Sequence, residues 1–142
     1  MSLPDPEPGL VIRFNYLWGR EHRMGRDNAR YARPCAIVVA TEPAGPGEPP
    51  QIMVAPITHS EPEAGAASVE LPPAIKRHLR LDGERSWVIL DEVNLSAWPG
   101  FDVELSPHGD WAYGQLPPAF FERVRAGILN AVRMRRLTQT RR

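Results

Sequence analysis

The segment 34–42, PCAIVVATE, restricts the fold more than any other part of the chain. It is an unbroken apolar run of strand length, which is typical of a strand that the protein buries. An arginine-rich stretch leads into it directly through Arg33 and Pro34. Arginine binds phosphate and carboxylate groups through a planar fork of N–H donors. The join therefore predicts a rigid strand that presents a cation at the edge of the core.

Other segments also have strand composition. Residues 9–18, GLVIRFNYLW, are rich in β-branched and aromatic residues. Residues 51–58 form a second apolar run, and the proline- and glycine-rich turn 43–50 separates it from segment 34–42, so these two runs predict a hairpin. Residues 85–95, RSWVILDEVNL, predict one further strand. Alternation along it would place Trp87, Ile89, Asp91 and Val93 on one face and Val88, Leu90 and Glu92 on the other.

Two segments predict helices. VELPPAIKRHLRLDG begins extended and continues as a short helix, with proline in its first turn and Gly83 after its end. From Pro117, apolar residues recur at helical spacing at Phe120, Val124, Ile128, Ala131 and Val132. Residues 1–8 predict a flexible proline-rich tail and residues 138–142 a basic tail. The chain is thus predicted to be one mainly β domain with helices over residues 9–137, either a small barrel or a sandwich.

The composition limits the kinds of site. The formal net charge is zero, and Lys76 is the only lysine among 17 basic residues. This arginine bias indicates either anion recognition or the codon usage of a GC-rich genome. Cys35 is the only cysteine, which excludes a disulfide within the chain, and His22, His78 and His108 are scattered, so we predict no metal site and no cofactor. No signal-peptide pattern and no apolar run of roughly 20 residues is present, which predicts a cytoplasmic protein.

Three motifs occur in a recognisable order: RPCAIVV, VAPIT and SWVILDEVN. Together they resemble the PemK/MazF family of toxin–antitoxin endoribonucleases, from about Gly9 to the terminal helix. The resemblance implies a small SH3-like or CcdB-like β-barrel with a short helix and a C-terminal helix, usually a homodimer. It also implies metal-independent cleavage of single-stranded RNA and growth inhibition that a cognate antitoxin relieves.

The resemblance also implies the site. The arginine of the family's Arg-Pro pair corresponds to Arg33, and the threonine that closes the next strand corresponds to Thr58. Some members use an aspartate that corresponds to Asp91. Many relatives then carry an arginine where this chain has Val93 or Asn94. This departure favours the alternative of a non-catalytic, CcdB-like barrel that binds a protein partner such as gyrase, or of a binding-only relative.

Metal-free cleavage of RNA uses the 2′-hydroxyl as the nucleophile and leaves a 2′,3′-cyclic phosphate. Arg33 would stabilise the charge that develops on the phosphate. Thr58 would donate its hydroxyl to a phosphate oxygen, or else make a local backbone hydrogen bond. Asp91 would act as a base or pair with Arg33, and His59 would move protons or be a solvated loop residue.

Contacts with RNA are predicted around the arginine-rich segment 19–33. Its cations would follow phosphates, and aromatic side chains beside it would stack on bases. The alternative is a solvated loop. The predicted contact residues are Arg20, Arg23, Arg26 and Arg30, with Trp18, Tyr31 or Tyr16 as stacking faces.

Overall fold

The computed structural model describes residues 3–27, 29 and 31–142. Over these residues the protein is mainly β. Its nine strands are β1 (Leu10–Asn15), β2 (Ala32–Thr41), β3 (Gln51–Thr58), β4 (Ser68–Glu70), β5 (Trp87–Ile89), β6 (Glu92–Ala97), β7 (Val103–Glu104), β8 (Gly114–Gln115) and β9 (Thr138–Arg141). Its three helices are α1 (Gly19–Arg23), α2 (Pro73–His78) and α3 (Pro118–Arg133). The predicted mainly β fold with helices is confirmed.

The strands form one sheet that does not close on itself over the described residues. Its order is β4-β5-β3-β2-β1-β7, and β6 and β8 pair with β3 and β1 respectively. All pairs are antiparallel except β6 with β9. The structure thus supports an open sheet carrying helices, and a closed SH3-like barrel is not confirmed.

The predicted hairpin of β2 and β3 is confirmed, and its ladder has a definite end. It runs from the Thr41–Gln51 pair to the Cys35–Pro56 pair. Proline has no N–H to give to a ladder, so strand pairing tends to stop where proline occurs. Beyond this pair β3 turns to β5, with Thr58 opposite Trp87. β2 and β3 therefore separate at the open end of their hairpin, which carries Arg33 and Thr58.

The prediction of one strand over residues 85–95 is wrong. Val54 of β3 pairs with Asn94 of β6, whereas Ile57 pairs with Val88 of β5. Between these two pairs, the segment from Val88 to Asn94 contains more residues than the stretch of β3 that it faces, from Val54 to Ile57. The additional residues therefore cannot pair with β3 and interrupt the ladder between β5 and β6. Asp91 lies in this break, and the predicted alternation that would align it with the β5 side chains does not continue through it.

Helix α3 packs on the sheet with the predicted stripe, except at one position. Phe120, Val124 and Ile128 are buried in a core that includes Leu90. Gly127 lies so close to Leu90 that a Cβ at this position would collide with it. Val132 is 49% exposed, so its predicted place in the buried stripe is wrong.

The two predicted tails contact the sheet. Residues 138–141 form β9 beside β6, and the Arg142 guanidinium donates to Asp102 Oδ1 at 2.9 Å, so the prediction of a basic tail there is wrong. At the other end, the Pro4 carbonyl accepts a hydrogen bond from Trp98 Nε1 at 3.2 Å. The Pro8 carbonyl accepts one from the Gln115 side chain. No helix in the described part of the chain is long and apolar enough to cross a membrane.

Candidate functional site

Three cavities meet at Arg33, at the edge where β2 and β3 part. The histidine cavity, of about 540 Å³, is lined by Tyr31, Arg33, His59, Asp82, Ser86 and Tyr113, among others. The tryptophan cavity, of about 130 Å³, is lined by Tyr16, Trp18, Arg20, Glu21, Tyr31 and Arg33. The threonine cavity, of about 340 Å³, includes Trp18, Arg20, Arg33, Thr58, Glu61 and Glu63. Arg33 lines all three cavities and is therefore the central residue of this candidate site.

The Arg33 guanidinium packs on Trp18. Its central carbon lies 5.0 Å from the centroid of the indole ring, and that of Arg20 lies 5.1 Å from the same centroid. Tyr16 contacts Trp18 edge to face. No ion pair joins Arg33 to a carboxylate within the described residues, and its Nε is buried without a hydrogen-bond partner there. Contact with the indole ring uses the face of the guanidinium and not the N–H donors in its plane, so Arg33 remains able to bind an anion.

Thr58 is buried and lines the threonine cavity together with Arg33. Its Oγ1 accepts a hydrogen bond from the Ser60 N–H at 3.1 Å, so the local backbone bond considered above is present. A hydroxyl that accepts one bond still has its own proton to donate. Thr58 can therefore keep this turn and also donate to an anion beside Arg33.

His59 lines the histidine cavity, on the other side of the strand end from Thr58. Ile57 of β3 lines the histidine cavity and Thr58 the threonine cavity, as alternation along a strand predicts, and His59 follows directly after the strand. His59 Nε2 lies 2.9 Å from Asp82 Oδ2. Its Nδ1 lies 3.1 Å from Ser86 Oγ and 3.2 Å from the Arg85 carbonyl. Both ring nitrogens are thus engaged within the protein, so His59 is not simply a solvated loop residue.

A buried lysine organises the segment that faces His59. Lys76 Nζ donates to Asp82 Oδ1 at 3.1 Å, to Ser86 Oγ at 2.9 Å and to the Glu84 carbonyl. Burial raises the pKa of the Asp82 carboxyl, but the hydrogen bonds from Lys76 and the Glu84 N–H and the charges of His59 and Lys76 outweigh it and lower the pKa. One signal in the sequence could have pointed to this residue, because Lys76 is the single lysine of an arginine-rich chain.

This network has two features that suggest chemistry. Ser86, His59 and Asp82 are connected like the nucleophile, base and carboxylate of a hydrolase. Ser86 is only 1% exposed, however, and Lys76 already donates to its hydroxyl, so the arrangement is better explained as structural. His59, Asp82 and Glu84 also have ligand atoms within 4.8 Å of one another and could hold a metal ion. The ammonium of Lys76 on Asp82 opposes a second cation there.

Asp91 lies apart from Arg33. It lines a small cavity at the end of α3 with Asn130 and Arg136. Within the described residues no ion pair joins Asp91 to Arg33, so the predicted pairing is wrong. The break between β5 and β6 is the reason, because it removes Asp91 from the strand that borders β3.

The residues after Asp91 support the segment that carries Trp18. Glu92 Oε2 accepts hydrogen bonds from the Tyr16 hydroxyl at 2.8 Å and from the Gly19 N–H at 3.0 Å. Burial, and then the Glu92 charge and hydrogen bond, raise the pKa of Tyr16. The side chain of Asn94 bonds both the N–H and the carbonyl of Leu17 at 2.8 Å. Sequence reasoning missed these contacts because they join residues far apart in the chain.

The arginine-rich segment is only partly a loop. Arg20 and Arg23 belong to α1, so the prediction of a loop is wrong there, and Arg26 lies 3.9 Å from Glu21. Arg30 lies outside the described residues. Tyr31 is 67% exposed and borders the histidine and tryptophan cavities. Within the described residues, Tyr31 is the exposed stacking candidate whose ring shows no aromatic or cation–π contact, whereas Trp18 contacts Tyr16 and two arginines.

Neither a protein-family model nor a curated protein matches this chain. The resemblance to the PemK/MazF family therefore stays a prediction from the sequence motifs.

Proposed function

We propose that this protein is a toxin-type endoribonuclease that cleaves single-stranded RNA without a metal ion. One observation carries the proposal. The Arg33 guanidinium is held on Trp18 without a carboxylate partner among the described residues, and the Thr58 hydroxyl lines the same cavity. A fixed cation beside a hydroxyl donor suits a phosphate group.

The RNA strand would cross the sheet edge at Arg33. Its scissile phosphate would lie in the threonine cavity, with Arg20 as a second cation there. An unpaired base could stack on Tyr31, because stacking on aromatic rings is the usual way in which proteins hold single strands. Arg23 and Arg26 would contact neighbouring phosphates.

The chemistry follows from this arrangement. The 2′-oxygen attacks phosphorus as the bond to the 5′-oxygen breaks, which gives a 2′,3′-cyclic phosphate and a 5′-hydroxyl. Arg33 stabilises the additional negative charge, and Thr58 donates to a non-bridging oxygen. The sequence predicts His59 and Asp91 as the proton carriers, but neither lines the threonine cavity.

The resemblance supplies the rest of the proposal. The domain is an SH3-like barrel that acts as a cytoplasmic homodimer and inhibits growth, and a cognate antitoxin relieves the inhibition by covering the groove around Arg33.

The alternative is a CcdB-like protein that binds a protein partner such as gyrase, or RNA, and cleaves nothing. It is favoured by the contacts of the two predicted proton carriers. His59 has both nitrogens engaged, and Asp91 lies in a different cavity from Arg33. In this alternative Arg33 is a contact for the partner.

The test is to incubate the purified protein and EDTA with a long single-stranded RNA and to map the fragment ends. We expect discrete cuts with 2′,3′-cyclic phosphate and 5′-hydroxyl ends. Arg33→Ala should abolish them, and Arg133→Ala, which removes an exposed arginine at the end of α3, should not. Intact RNA after incubation of a folded protein with many sequences would reject the nuclease and favour the binding protein.

A further inference from the structure

The proposed cleavage needs a group that accepts the 2′-hydroxyl proton beside Arg33 and Thr58. Such a base must come within hydrogen-bond reach of the nucleophile, directly or through one water. The threonine cavity is where Arg33 and Thr58 meet. Asp91 lines another cavity, and His59 faces the histidine cavity with both nitrogens engaged. The base is therefore to be sought among the other residues of the threonine cavity.

Two carboxylates line that cavity, and both follow Thr58 closely in the chain: Glu61 and Glu63. The Glu61 carboxylate lies 4.0 Å from Arg85 Nη1. The Glu63 carboxylate has no ion pair or hydrogen bond with any residue in the described part of the chain. Glu63 is thus the carboxylate that a substrate could use without breaking an existing contact.

The backbone fixes the position of this segment relative to Thr58. The Ser60 N–H donates to Thr58 Oγ1 at 3.1 Å, and the Ala66 N–H donates to the Glu63 carbonyl at 2.9 Å. Pro62 restricts the chain between these two bonds, because its ring fixes φ. Glu63 therefore begins a hydrogen-bonded turn in the wall of the cavity that Arg33 also lines.

We propose that Glu63 is the general base of the cleavage, an inference that rests on the proposed function. Its carboxylate takes the proton of the 2′-hydroxyl as the 2′-oxygen bonds to phosphorus. The bond from phosphorus to the 5′-oxygen breaks, and the leaving oxygen takes a proton from water. Glu63 then returns its proton to solvent. The other charged groups that line this cavity are Arg20, Arg33 and Glu61.

The test compares Glu63→Gln with Glu61→Gln, a matched control from the same exposed segment and cavity. We expect Glu63→Gln to lower kcat by about 10²-fold or more with little change in KM, since this is the usual contribution of a general base. It should also remove the acidic limb of the pH profile of kcat/KM. Glu61→Gln removes a charge from the same cavity and should keep the acidic limb of the profile.

The outcomes separate the two proposals. If Arg33→Ala abolishes cleavage while Glu63→Gln and Glu61→Gln both cleave at the wild-type rate, the nuclease stands and Glu63 is not its base. If the wild-type protein cuts no RNA, the proposed function and this inference fail together. Because both glutamates are exposed, the variants should fold like the wild type, which circular dichroism checks.

Discussion

The side chain of Asn94 makes two hydrogen bonds of 2.8 Å with the backbone of Leu17, one to its N–H and one to its carbonyl. Asn94 is completely buried. Leu17 precedes Trp18, on which Arg33 packs, so this pair of bonds fixes the platform of the candidate site. Asn94 thus has a supporting role beneath the candidate site.

Asn94→Ala should therefore destabilise the protein. It leaves the buried N–H and carbonyl of Leu17 without partners, which costs about 2–4 kcal/mol. Denaturation by urea measures the loss. Asn130→Ala, at an exposed position of α3, is the control and should change the free energy of unfolding little. Equal stability of the two variants would show that the Asn94 contacts contribute nothing.

Arg33→Ala should weaken binding of single-stranded RNA and reduce its salt dependence. Each lost contact with a phosphate lowers the slope of log K against log salt by about 0.7 for single strands. Binding of a 2′-O-methyl RNA, which lacks the nucleophile, measures this slope by fluorescence anisotropy. Arg133→Ala should leave the slope unchanged, and an unchanged slope in Arg33→Ala would remove the predicted phosphate contact.

Lys76→Met should destabilise the fold through the segment that faces His59. The ammonium of Lys76 is buried and donates to Asp82, Glu84 and Ser86. Without the ammonium these acceptors lose their donor, and the free energy of unfolding should fall by about 2–4 kcal/mol. The decrease is limited because the half-exposed Asp82 carboxylate remains accessible to water. Arg77→Met, its exposed neighbour on α2, serves as the comparison in thermal or chemical denaturation. Similar stability of both variants would contradict the structural role of the ammonium.

The stability contributed by Asp82 should depend on pH. Its carboxyl has a pKa below the ordinary 3.8 in the folded protein, so its ionised form is favoured by folding. This contribution is complete above the ordinary value and disappears as the pH falls through the lower folded pKa. The difference in unfolding free energy between wild type and Asp82→Asn should thus be larger at pH 7 than at the acidic end of the accessible range. A constant difference would mean that Asp82 is not stabilised in its charged form.

The sequence predicted those elements whose pattern is local. Segment 34–42 and residues 51–58 form the hairpin because each is an apolar run bounded by turn residues. Most of the apolar stripe of α3 is buried for a similar reason, since helical spacing can be read within one segment. The predicted burial of Val132 is wrong because a residue at the margin of an apolar stripe is buried only where the surface that the helix packs on is wide enough.

The elements that sequence reasoning missed depend on distant partners. The break at Asp91 follows from how β3 divides its edge between β5 and β6, and β9 exists because β6 has a free edge. Lys76 and Asn94 are polar residues whose burial only their tertiary hydrogen bonds explain. The resemblance named Arg33 and Thr58, and the structure brings them together because both lie at the open end of the hairpin. Asp91 was misplaced because the predicted strand that carried it is broken.

The opposite orientation of Thr58 and His59 has a consequence for how such a protein can diversify. The end of β3 separates the threonine cavity, which Thr58 lines, from the larger, mostly apolar histidine cavity, which His59 lines. Substitutions in the wall formed by Tyr31, Tyr113 and their neighbours can alter which molecules are accepted, while Arg33 and Thr58 keep their relative position. In the proposed function, selectivity and chemistry are thereby divided between two compartments that share a single arginine.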